Sequence, residues 1–119
     1  YNRDEELWSV IYAVHLPAVD ALYSLEVDEL LVQPAFYCQM RLDHERDFVH
    51  LLGYAEWSAA IRPYIDDVVT ATEDVIALTE ICVADQHDQA EIESQGLVAR
   101  GLRDAAVEEL KAAIPLVGS

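Results

Sequence analysis

The stretch RPYIDDVVTATEDVIALTEICV, residues 62–83, decides the fold. Ile65, Val68, Val69, Thr72, Val75, Ile76, Thr79, Cys82 and Val83 recur at three- and four-residue steps, so they line one side of an α-helix. The dipeptide Arg62-Pro63 marks its start. A residue before proline avoids helical backbone, whereas a proline in a first turn forfeits no hydrogen bond. Such a helix cannot bury its stripe alone and needs neighbours of the same kind.

Those neighbours are legible on both sides. Upstream, Pro34 suits the first turn of a long helix reaching about residue 60, preceded by a short helical turn over 28–33 with Asp28 as its cap. Further upstream, Leu7, Ile11, Val14, Ala18, Leu22 and Leu25 repeat at helical spacing. Pro17 lies within that stripe, removes one backbone donor, and is expected to kink this helix or split it in two. Residues 7–16 are also rich in β-branched and aromatic side chains, which makes a strand the competing reading there. Downstream, a helix is expected over 88–113, softened at Gly96 and Gly101 and stopped by Pro115. The expectation is an all-α, up-and-down bundle of about four main helices, one domain over residues 1–119. The chain starts at Tyr1 without an initiator Met, which leaves room for its being a piece of a longer protein.

Composition narrows the function classes. At 53% hydrophobic the chain has material for a core, which excludes intrinsic disorder. No run approaches the ~20 apolar residues of a membrane span, and no targeting signal is visible, so a cytoplasmic location is the default. Seven basic against 23 acidic side chains give a net charge of −16. That argues against direct nucleic-acid binding and against anionic membrane surfaces, both of which need Lys and Arg. The charge is uneven: residues 61–95 carry nine acids against Arg62 alone, while residues 96–119 are neutral. Two explanations compete. One is a solvated surface adapted to high salt, which a single lysine, Lys111, fits. The other is an acidic face that steers a basic partner, as inhibitors, immunity proteins and nucleic-acid mimics do.

Opposite the main stripe of the third helix lie Leu78 and Ile81, flanked by Asp67, Asp74 and Asp85. An apolar pair ringed by carboxylates is a candidate contact patch for a protein partner or a second copy; equally, a central helix buries two faces. Arg41 and Glu45 fall four residues apart inside an apolar arc. They read as a boundary ion pair at the core edge or as a buried polar contact at an interface. Cys38 and Cys82 sit in apolar helical patterns and read as small buried hydrophobes; a bridge requires that their helices be neighbours.

Catalysis and cofactors find less support. No G-x-S-x-G elbow, P-loop, G-x-G-x-x-G or H-E-x-x-H occurs. His15, His44, His87 and Glu91 are the weak metal candidates, through offsets such as His87 to Glu91, but the His-x3-His pair of a di-metal bundle is missing. Aromatic side chains at helical spacing, Trp8 and Tyr12 among them, suit a core or the lining of a small-ligand pocket. Trp8 and Trp57 are expected near helix ends and partly exposed. No cofactor is expected. The leading expectation is a non-enzymatic acidic interaction or oligomerisation module; the runner-up is a bundle binding a metal or small ligand.

Overall fold

The computed structural model describes residues 2–24, 34–84 and 89–117. They form four helices: α1 (Arg3–Ser24), α2 (Pro34–Tyr54), α3 (Arg62–Ala84) and α4 (Gln89–Val117). Each helix packs on its neighbours in sequence, and α1 meets α4 along a narrow seam. The result is an elongated up-and-down four-helix bundle of 49 × 22 × 20 Å. No strand occurs among the described residues, and none of their helices is long and apolar enough to cross a membrane.

Local chemistry starts α1 cleanly. The Asn2 side chain accepts a hydrogen bond from the Glu5 amide at 3.0 Å, and Asp4, Glu5 and Glu6 occupy the first turn, where the helix dipole favours negative charge. Residues 7–16 lie within this helix, so helical periodicity overrides their β-branched composition: Asp4, Trp8 and Ile11 all fall on its buried stripe. α1 is one continuous helix of 22 residues through Pro17. The expected division does not occur and the structure does not bear out a kink; proline deletes a single donor, and bonds on either side can carry the helix across it. Pro115 likewise fails to stop α4, which runs to Val117. The expected turn at 28–33 lies outside the described residues.

α2 ends at Tyr54, not near residue 60, because side chains compete for its last turns. The Trp57 indole donates to the Leu52 carbonyl at 2.8 Å, occupying an acceptor that a continuing helix would use. Ser58 donates its amide and its hydroxyl to the two oxygens of the Asp4 carboxylate, at 2.9 and 2.8 Å. The connection to α3 is thereby tied to the start of α1.

The core has two parts. One end is hydrocarbon and aromatic: Trp8, Phe48, Leu52, Ile65, Val68 and Leu110 are central to it. Both tryptophans are buried there, so the expectation of partial exposure was wrong; the indoles are large enough to plug the bundle end. The other part holds Arg41, Glu45, Thr72, Thr79 and Arg103, all buried. Beyond them the Cys38–Cys82 disulfide joins α2 to α3, with 5.9 Å between the Cα atoms. The two cysteines are buried as expected, and their helices are indeed neighbours.

Candidate functional site

α3 directs Ile65, Val68, Thr72, Val75, Thr79 and Cys82 into the core. Its flank toward α4 is different. Asp67, Ala71 and Asp74 of α3 face Leu102, Ala106 and Glu109 of α4 across a shallow groove of about 360 Å³. The three carboxylate residues are exposed on its rim, and no Lys or Arg lines it among the described residues. Leu78 lies one helical turn past Asp74, and Val98 one turn before Leu102. Because α3 and α4 run antiparallel, both extend the groove in the same direction.

This extension is unusually apolar for open surface. Val98 is 66% exposed, Leu102 61% and Ile81 48%, while Leu78 is half-buried. Single exposed apolar residues mean little, but three that follow one inter-helix groove, with half-buried Leu78 beside them, form a patch. Leu78 and Ile81 were identifiable from the α3 sequence, together with Asp67 and Asp74; Asp85 lies outside the described residues. Val98, Leu102 and Glu109 were missed. Their signal was a second stripe at 98, 102, 105, 106 and 109 of α4, alongside the buried one at 99, 103, 107, 110 and 114.

Arg41 and Glu45 are inside the bundle, not at its edge: Glu45 is 1% exposed. The reading as a boundary ion pair is therefore corrected. Arg103 of α4, also 1% exposed, is a third buried ionic side chain and was not singled out from the sequence. It donates from Nη2 and Nε to the Asp104 carboxylate, at 2.9 and 3.2 Å, and so reaches an exposed counter-charge from a buried position. Arg41 and Glu45 are engaged as well. Ions this deep are tolerated only when paired and hydrogen-bonded.

The weak metal candidates lie on separate elements. His15 and His44 are half-buried on α1 and α2, Glu91 is exposed and accepts from Gln95 at 3.2 Å, and His87 lies outside the described residues. No cluster of three His, Cys, Asp or Glu able to hold a metal occurs among the described residues. A second cleft, about 340 Å³, lies along the α1–α4 seam between Trp8, Tyr12, Lys111 and Ile114. Lys111 sits 5.8 Å over the Tyr12 ring and contacts Glu108 at 3.3 Å, so its charge is already engaged.

In comparisons with known proteins, no family model, no curated protein and no solved structure matches this chain.

Proposed function

We propose that this protein is a non-enzymatic interaction module whose docking surface is the α3–α4 groove. The observation that carries the reading is the run of Ile81, Val98 and Leu102, apolar side chains left largely in water beside half-buried Leu78 and bordered by carboxylates. Residues kept apolar for folding would be buried; these are not. A photo-crosslinking residue at position 102 is expected to give a saturable adduct with one protein, identifiable by mass spectrometry, and the same residue at Asp43 on α2 is not. Equal labelling from both positions would remove the groove from consideration. Leu102→Asp should change folding stability by no more than about 0.5 kcal/mol, the range of ordinary surface substitutions.

Salt adaptation is favoured by a separate observation. Exposed carboxylates also occur outside the groove lining, at Asp43 and Asp47 on α2, Asp66 and Glu73 on α3, and Glu108 on α4. Thermal unfolding followed from low to molar potassium chloride separates the two contributions. Exposed charges repel over ~10 Å at 0.1 M salt and ~3 Å at 1 M. A fold that forms only near molar salt would assign the bulk of the charge to environment. Full stability at physiological salt would leave partner attraction as its role.

The buried Cys38–Cys82 bridge further supports a working place where disulfides persist, an oxidising compartment and not the cytoplasm taken as the default. Protein isolated with thiols blocked at lysis should resist alkylation at both cysteines until reduced; free thiols would return the location to the reducing cytoplasm.

A further inference from the structure

We infer that the occupant of the α3–α4 groove is a cationic amphipathic helix of another protein, not a second copy of this chain. The inference rests on the reading of that face as a docking surface and adds the chemistry of what docks.

Shape comes first. The groove lies between two antiparallel helices, and from Glu109 to Val98 it follows twelve residues of α4, eleven steps of 1.5 Å or about 16 Å. A trough of that length and section accepts the side-chain ridge of a third helix, with apolar anchors at i, i+3 or i+4, and i+7.

Charge then chooses between occupants. Asp67, Asp74 and Glu109 all present carboxylates at the rim. Two copies meeting through this face about a two-fold axis would bring the same patch against itself, carboxylates facing carboxylates. Each copy would also bring a net charge of −16. A helix with Lys or Arg flanking its apolar stripe meets the rim with opposite charge, which both steers its approach and fixes its register. No described segment of the chain itself has that character: α4 carries Arg100, Arg103 and Lys111, but Arg103 is buried in the core and Lys111 faces Tyr12.

The test uses two labelled 18-residue peptides of Leu and Lys, identical in composition, one ordered with helical period and one permuted to destroy it. Fluorescence anisotropy at physiological salt is expected to show the periodic peptide binding at least tenfold more tightly. Asp67→Asn with Asp74→Asn and Glu109→Gln should weaken it at least tenfold. Removing the same charge elsewhere, with Asp43→Asn and Asp47→Asn on α2 and Glu5→Gln on α1, should weaken it less than twofold. Equal effects of the two sets, or no preference between peptides, would overturn the inference by reducing binding to diffuse attraction. Sedimentation of the free protein separates the levels. A dimer dissociated by Leu102→Asp would overturn the choice of occupant and leave the face an interface. A monomer indifferent to both peptides would sink the docking reading too. These substitutions are all at exposed positions, and circular dichroism of each variant checks that it folds.

Discussion

Around Phe48 and Leu52 the bundle is closed by aromatic rings and hydrocarbon; about one helical turn away, around Glu45, Arg41 and Arg103, it is closed by charge. The two regions use the same four-helix scaffold and reach the same degree of burial. What differs is how much geometry each demands. Apolar packing is non-directional and accepts substitutions that keep volume and shape roughly constant. Buried ions lose water's hydrogen bonds and need replacements at fixed angles, so one wrong register leaves a charge exposed to hydrocarbon. The apolar end supplies most of the drive to collapse, while the charged layer discriminates between alignments of the helices.

Breaking the charged layer should have the largest effect. Arg103→Ala removes a side chain that is 1% exposed together with its pairing to Asp104, and truncation of so buried a residue costs about 3–5 kcal/mol. Urea unfolding measures it directly. Replacing Arg41, Glu45 and Arg103 together with Met and Leu should recover most of that loss. A single substitution costing under about 1 kcal/mol would show that the layer is wet or dispensable. Next comes the cross-link that fastens α2 to α3 beside it. Opening the bridge in Cys38→Ser/Cys82→Ser frees a 44-residue loop in the unfolded chain and should cost about 2–4 kcal/mol, seen as a lower midpoint of thermal unfolding. The smallest effect is expected at the apolar end, from Asp4→Ala. It removes two hydrogen bonds to Ser58, worth about 1–3 kcal/mol together, and should raise amide exchange at residues 55–61 before it affects the layer around Glu45. Exchange rising equally in both regions would mean that the two ends open as one unit.

The contrast between the regions also marks what could be read from sequence. Helical spacing of apolar residues was enough for α3 and for the existence of four helices, because burial drives both the pattern and the fold. Leu78 and Ile81 stood out for the same reason, as apolar residues off the main stripe. Arg103 did not stand out, since a cation in a charge-balanced segment looks solvated until Ala99, Val107 and Leu110 are seen to share its side of the helix. The early end of α2 was hidden for another reason. It depends on Asp4 reaching Ser58 and Trp57 reaching back to Leu52, contacts between side chains and backbone that no periodicity encodes. Pro115 as a stop, and Pro17 as a point of division, misled because a local rule about one lost donor was asked to outweigh a whole helix of remaining bonds.

The burial of Trp8 and Trp57 in one cluster has a spectroscopic consequence. They are the only tryptophans in the chain, and both report from the apolar end of the bundle. Indole emission will therefore register the loosening of Phe48 and Leu52 and stay silent while the charged layer comes apart. A melt in which helicity falls before tryptophan emission shifts would be the optical signature of a bundle that unzips from its ionic end.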